Sequence, residues 1–358
     1  MIFLDLGYQP LANRYRNFKK KKFKELKYRL LVNFNFSSQL VSIKKKFSSK
    51  TMFSNTYPYR SSMSKTMLES FKKLAIKIKK NFLHKKVLEI GCNDGIFLKN
   101  FNQFALGIEP CKNIANIARK KDLNVISDYW TTSLAKKILK KHGTFDIIYS
   151  ANTITHIKDL NEVFKAINIV LNKSGILIIE DPSLLECIKK NTYDQFYNEH
   201  IYLFSLLSLT RILNKYKLRT FKVENIKVHG GSNRYYICKS NNKIKNEVSV
   251  LKQKKRELIY SLDKIQTYKK FGVRVKKSKD ELLNIFKKIK SKKKRVIGYG
   301  ASAKAVTILN YCKINTKYID YFVDTTPEKQ NKILPGVDML IKKYNKKSLK
   351  DIHYVFLY

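Results

Sequence analysis

Val87-Leu88-Glu89-Ile90-Gly91-Cys92-Asn93-Asp94-Gly95 decides the fold of this 358-residue chain. Four residues suited to a buried strand run into a glycine turn, and Phe97, Leu98 and Phe101 behind it read as the start of a helix. Gly91 is the residue that lets a backbone bend sharply and come close to a ligand. Twenty residues past Glu89, Ala105-Leu106-Gly107-Ile108-Glu109 reads as a second short strand ending in an acid. Further strands are predicted at 124–127, 145–150 and 175–180, with helices over 111–121 and 159–171. Ahead of the first strand, Leu68, Phe71, Leu74, Ala75 and Ile78 recur at helical spacing. Strands alternating with helices predict βαβ units and a mainly parallel sheet, an α/β fold.

The turn also says what it would bind. A dinucleotide site wants G-x-G-x-x-G, which seats a pyrophosphate on a helix N-terminus. Here the turn carries an acid, Asp94, which repels a pyrophosphate and suits a cation. Glu109 is placed to accept hydrogen bonds from ribose hydroxyls. S-adenosylmethionine (SAM) has a ribose, a sulfonium and an ammonium but no phosphate. The reading is a class I SAM-methyltransferase Rossmann-like domain, with Glu89, Gly91, Asn93, Asp94, Gly95 and Glu109 about the donor.

Composition narrows the class. Hydrophobic residues make up 44%, ample for packed cores, which excludes a disordered chain. Lys+Arg is 74 against 27 Asp+Glu, a formal charge of +47. Such a charge attracts polyanions. Yet 63 of the cations are Lys and only 11 Arg, spread along the chain among Asn, Ile, Phe and Tyr, the mark of an A/T-rich coding bias. Nucleic-acid binders interleave Arg and aromatics on one surface, so the pattern argues against nucleic acid. No P-loop pattern G-x-x-x-x-G-K-[ST] occurs, which argues against an NTPase. No run approaches the ~20 apolar residues of a membrane helix, and the first residues lack a secretory pattern. Five scattered Cys, an odd number, give no disulfide framework. A reduced, cytoplasmic protein without a membrane partner is expected; the oligomeric state is not legible.

Four regions follow. Residues 1–60 read as a small irregular N-terminal module, and 61–241 as the methyltransferase domain. Residues 242–292 read as a helical linker with Leu251, Leu258, Leu262 and Ile265 on one face, interrupted at Gly272. Residues 293–358 read as a second Rossmann-like α/β domain, with strands at 295–301 and 318–324. Its last strand, 353–358, has no helix after it, which suggests a truncated end.

Taken in order, these residues resemble the three-domain sugar C-methyltransferases, which methylate a nucleotide-diphosphate-linked keto-hexose. The similar segments include Leu6-Gly7-Tyr8-Gln9-Pro10-Leu11-Ala12-Asn13, Tyr57-Pro58-Tyr59-Arg60-Ser61-Ser62, the Val87 to Leu98 loop and Gly107-Ile108-Glu109-Pro110. They continue with Asn152, His156 to Leu160, Tyr197-Asn198-Glu199-His200 and His229-Gly230-Gly231-Ser232-Asn233-Arg234. Gly298 to Lys304 and Asp324 to Gln330 complete the set. Three departures stand out. The family's N-terminal zinc module uses two Cys pairs, whereas Val32-Asn33-Phe34-Asn35-Phe36-Ser37-Ser38 has none, so no zinc and a loosened first domain are expected. Asn198 stands where the family usually has His. The family also continues well beyond Tyr358.

The resemblance implies carbon methylation of a nucleotide-linked keto-deoxysugar. Removing a proton beside the ketone gives an enolate, which needs a base and a donor for the oxyanion. Tyr197, Glu199 and His200 supply such groups. Either His200 or Glu199 serves as base, and Tyr197 can hydrogen-bond the enolate oxygen. Tyr57, Tyr59 and Ser62 are candidates for the sugar pocket. His156 sits at the strand edge where α/β ligands bind, and Asn152 there is assigned to the donor. Arg234, a rare Arg in this chain, suggests a bidentate anion contact. Gly300 and Lys304, in the second glycine turn, suggest a place for the substrate's diphosphate. Competing readings are another small acceptor on the same architecture, or a basic nucleic-acid-binding protein or RNA methyltransferase.

Overall fold

The computed structural model describes residues 1–18, 25–81, 86–101, 105–349 and 351–357. Among these described residues the central sheet has seven strands: Val87–Ile90 (β1), Ala105–Ile108 (β2), Val125–Ile126 (β3), Phe145–Ala151 (β4), Leu171–Pro182 (β5), Leu218–Ile226 (β6) and Ser232–Lys239 (β7). Their order is β6-β7-β5-β4-β1-β2-β3. β1 to β5 pair in parallel, and β7 is antiparallel to both neighbours. β1 is buried throughout; Leu88 and Ile90 enter one core and Val87 the other, as a period of two requires. Helix Lys65–Asn81 turns Phe71, Leu74, Ala75 and Ile78 inward, at the spacing read from the sequence. The strand order reverses between β1 and β4, which marks the ligand crevice at their carboxyl ends.

Behind the first glycine turn the expected helix is only a 3₁₀ turn, Leu98–Asn100. The Asn100 side chain donates to the carbonyls of Ile96 and Phe97 at 3.1 and 2.8 Å, local bonds that replace a continuing helix. Helix Thr132–His142, unread in the sequence, starts where the Thr131 side chain accepts the Leu134 N–H.

The described part of residues 1–60 carries a regular sheet. Strands Ile2–Pro10, Lys27–Phe34 and Val41–Ile43 form an antiparallel sheet completed by Tyr202–Leu203 of the catalytic domain. In Lys27–Phe34, Tyr28, Leu30, Val32 and Phe34 alternate into the core that also holds Leu88 and Ile90. The first module is therefore packed onto the second, not loosened. Asn33 pairs with Ser42 within this sheet, and Phe36 is exposed.

The linker also differs from expectation. Helix Ile265–Ser291 runs unbroken through Gly272, and the interruption falls at 260–264, after helix Val248–Ile259. Gly272 serves packing: a Cβ there would stand 2.7 Å from the Phe3 carbonyl oxygen. The inward face of Val248–Ile259 is polar. Gln253 and Glu257 are buried, while Leu251 and Leu258 are exposed. Glu257 accepts the Leu206 and Leu207 backbone N–H groups at 2.8 and 3.0 Å, at the start of helix Leu206–Asn214. Buried polarity with fixed partners has displaced the apolar stripe.

The C-terminal domain is a parallel sheet in the order Ile341–Lys343, Phe322–Asp324, Val296–Tyr299, Tyr354–Phe356, with helix Ala303–Cys312 following its glycine turn. Tyr358, the end of the expected last strand, lies outside the described residues. Among the described residues no helix is long and apolar enough to cross a membrane.

Candidate active site

A cavity of about 430 Å³ opens at the carboxyl ends of β1, β2 and β4 and reaches the C-terminal domain. Its walls bring together Gly91, Asn93, Glu109 and Asn152 with Tyr57, Tyr59 and His156. Tyr197, Glu199 and His200 line it as well, as does Lys304 from the far domain.

On the first wall, Gly91 has φ +75°, and any Cβ would lie 2.1 Å from the Thr153 hydroxyl oxygen, so only glycine fits. The Glu109 carboxylate is anchored by its own loop: Oε2 accepts the Asn93 N–H at 3.0 Å and Oε1 accepts the Cys111 N–H at 2.8 Å. Burial raises its pKa, and these backbone donors oppose the rise. No ion pair reaches Glu109 among the described residues, which leaves lone pairs for a diol. A pre-anchored carboxylate beside a glycine turn fits the ribose and positive charge of SAM.

Three expected donor residues do not line the cavity. Asp94 is fully buried and turned away: it accepts the Ser62 N–H at 3.2 Å and lies 3.7 Å from Lys121 Nζ and 3.9 Å from Arg60 Nε. It pairs with cations of the fold itself and does not face the cavity. Gly95, at φ +80°, packs on Leu123, where a Cβ would come within 2.2 Å. Glu89 is buried beneath the turn and accepts the Leu98 backbone N–H; burial and the nearby Glu109 and Asp94 carboxyls push its pKa well up.

A second part of the lining comes from the Tyr197 to His200 segment. His200 Nδ1 lies 2.9 Å from the Gln195 carbonyl oxygen. Burial, with His156 and Lys304 nearby, holds its pKa well below the ordinary value. His156 and His200 have ring centroids 5.1 Å apart, and Tyr197 lies 4.2 Å from His200. Burial pulls His156 down to about 3 and His229 to about 4. Glu199 accepts from Tyr57 OH and from Asn13 Nδ2, both at 2.8 Å; burial raises it to about 7 against those two donors. Asn198 does not enter the cavity lining. Its Oδ1 accepts the Ala12 N–H at 2.9 Å, tying the first module to this loop.

On the third wall, Ser302, Ala303 and Lys304 begin a helix facing the cavity, and Lys329 joins them. Burial lowers the Lys304 pKa against a nearby Asp194, and no ion pair within 4 Å engages its ammonium among the described residues. Gly300 is absent from the lining: its N–H goes to the Val323 carbonyl at 2.9 Å. The Ala301 N–H goes to Asp324 Oδ2 at 2.7 Å. An internal carboxylate thus occupies the turn where a diphosphate was expected, and Lys304 remains on the cavity.

Two further expectations fall elsewhere. Arg234 is buried in β7, bonded to Glu180 at 2.8 Å and to Glu224 at 3.3 Å, so its bidentate need is internal. Ser62 contributes only its backbone to Asp94, and Ser61 lines the cavity instead. Residues given no role in the sequence also line it: Asn13, Phe53, Tyr129, Trp130, Thr153 and Lys329. Tyr129 and Trp130 follow β3, so aromatic residues at a strand's carboxyl end were the available signal. Among the described residues no group of His, Cys, Asp or Glu is arranged to hold a metal ion.

Residues 59–223 match the family model of a methyltransferase domain, and residues 227–357 match that of the C-methyltransferase C-terminal domain. The chain is 28% identical to the C-methyltransferase NovU of Streptomyces niveus over 253 residues, 70% of this chain and 60% of NovU. It is 32% identical to the sterol 4-C-methyltransferase strm-1 of Caenorhabditis elegans over 119 residues, 32% of this chain and 34% of that one. The chain thus spans about 60% of NovU and about a third of strm-1. A solved SAM-dependent methyltransferase of Thermotoga maritima, described as a possible histamine N-methyltransferase, is 20% identical, with 49% of this chain and 92% of that chain covered and a TM-score of 0.38. Residues 59–223 have the class I SAM-methyltransferase Rossmann-like fold, and the α/β domain behind them is the part that matches the C-methyltransferase C-terminal domain model.

Proposed function

We propose that the chain is a SAM-dependent C-methyltransferase whose acceptor is a keto-deoxysugar linked to a nucleotide diphosphate. One observation carries this reading: Glu109, Glu199, His200 and Lys304 all line a single cavity. SAM, when bound, supplies an electrophilic methyl group on a sulfonium. Gly91, Asn93, Glu109 and Asn152 would hold it, with Glu109 accepting from the ribose hydroxyls.

The chain's own residues then manage one proton and one oxyanion. His200 takes the proton from the carbon beside the ketone. Its Nδ1 is committed to the Gln195 carbonyl, which leaves the Nε2 lone pair as the acceptor. The positive charge of Lys304 depresses His200, so pairing of Lys304 with a diphosphate raises the proton affinity of His200 once acceptor binds. Tyr197, kept protonated by burial, donates to the enolate oxygen. Glu199 fixes Tyr57 and offers its remaining lone pairs to a sugar hydroxyl. Lys304 faces the diphosphate, while Lys329 lies 3.5 Å from Asp324 Oδ2 and is held by it; the likeness to the C-methyltransferase NovU supports the reaction class.

The test is methyl incorporation from SAM into a thymidine-diphosphate 4-keto-6-deoxysugar, with product analysed by mass and carbon connectivity. A carbon-bound methyl is expected. Methyl transfer to oxygen or nitrogen, or to RNA and not to the sugar nucleotide, overturns the proposal.

A further inference from the structure

The segment at residues 11–15 of the first module makes three contacts with the cavity's neighbouring elements. The Ala12 N–H donates to Asn198 Oδ1 at 2.9 Å, Asn13 Nδ2 to Glu199 Oε1 at 2.8 Å, and Tyr15 OH to the Ala301 carbonyl at 2.7 Å. One short strap thus touches the catalytic loop twice and the C-terminal domain once. We infer that Asn13 is a positioning residue for Glu199, delivered by the N-terminal module, and that the catalytic wall is complete only when this strap is docked. The inference rests on the active-site reading proposed above.

The geometry supports it in three ways. Asn13 lines the cavity, so its amide borders the place where acceptor would lie. Glu199 sits between two neutral donors, Asn13 on Oε1 and Tyr57 on Oε2, and no cation lies within ion-pair distance among the described residues. The two donors therefore fix both the orientation and the charge of the carboxylate. The titratable groups facing Glu199 are Tyr57 and Tyr197, Tyr28 of strand Lys27–Phe34, and Cys111 at the start of helix Lys112–Arg119. Burial raises the pKa of each, so each stays neutral near pH 7 and adds no charge that titrates alongside Glu199. Asn198 shares in the arrangement: its side chain holds the Ala12 backbone, one residue before Asn13.

The full chain, labelled with carbon-13 at the glutamate carboxyl carbons, tests the inference without turnover. The Glu199 resonance is assigned by its loss in Glu199→Gln. It should titrate near about 7 in the wild type. Asn13→Ala should move that titration upward by ~1 pH unit, because a donor to the ionised form is lost. Asn198→Ala should move it the same way by less. Tyr15→Phe, which cuts a strap bond that does not reach Glu199, should leave it in place. If Asn13→Ala does not fold, Asn13→Ser, too short to reach Oε1, makes the same test. An unmoved titration in the folded Asn13 variant overturns the inference. The acidic limb of the pH profile of methyl transfer should move with the resonance. A moved resonance in a chain that methylates no sugar nucleotide would sink the proposed function and leave the positioning role standing.

Discussion

His200 Nδ1 lies 2.9 Å from the backbone carbonyl oxygen of Gln195. A carbonyl oxygen only accepts, so the ring proton sits on Nδ1 and Nε2 carries the lone pair. Burial keeps the ring neutral, so this acceptor persists well below pH 6.5. His200→Ala should lower turnover by ~10²–10⁴. Affinity for S-adenosylhomocysteine should change less than about twofold, since the donor wall is not touched. Single-turnover kinetics with parallel calorimetry checks both. Turnover near the wild-type rate would remove His200 as base.

Glu199 ties stability to pH. Its carboxyl is raised from 4.5 to about 7 by burial, so the folded chain binds this proton more tightly than the unfolded chain does. Stability from this group is complete below the unfolded value and is lost as pH rises through about 7. Glu199→Gln should therefore stabilise the chain above pH 8, by up to about 3 kcal/mol, with the gain fading toward pH 4.5. Urea unfolding at a series of pH values gives the curve. A gain that grows as pH falls would contradict the assignment.

Lys304 faces the cavity with no ion pair within 4 Å among the described residues. Lys304→Gln should raise KM for a nucleotide-diphosphate sugar by ~10–100-fold and leave S-adenosylhomocysteine affinity unchanged. Steady-state kinetics with and without the diphosphate on the acceptor measures the difference. Equal effects on both acceptors would place the diphosphate elsewhere.

Arg234 belongs to the scaffold. Arg234→Met leaves Glu180, a fully buried carboxyl 2.8 Å from the guanidinium, without its cation. Stability should fall by about 3–5 kcal/mol while acceptor KM stays as in the wild type. Denaturant midpoints report the first quantity and initial rates the second.

Much of this arrangement was legible in the chain, because strand periodicity and glycine turns are local signals. β1, β2, β4 and β5 lie where the apolar runs predicted them. Glu109, Tyr197, Glu199 and His200, each named from the sequence, line one cavity. What was not legible depends on partners distant in sequence. Asp94 reads as an acid offered to a ligand, but Lys121 and Arg60 take it up. Arg234 reads as an anion receptor, but its anion is Glu180, 54 residues away. Gly272 reads as a helix break, yet it lets the Phe3 carbonyl approach an intact helix. The strand Lys27–Phe34 alternates cleanly, but dense lysine on either side hid the pattern. Asn13 ends the segment Leu6 to Asn13 that resembles the family, and only the fold brings it to a residue 186 positions further on.

The most direct test is a calorimetric titration of the purified chain with S-adenosylhomocysteine, repeated on Glu109→Gln. Saturable binding is expected in the wild type, weakened ~10–100-fold in the variant by loss of the charged acceptor for the ribose hydroxyls. Absence of saturable binding in the folded wild-type chain, or equal affinity in the two proteins, would contradict the account of this cavity as a methyl-donor site.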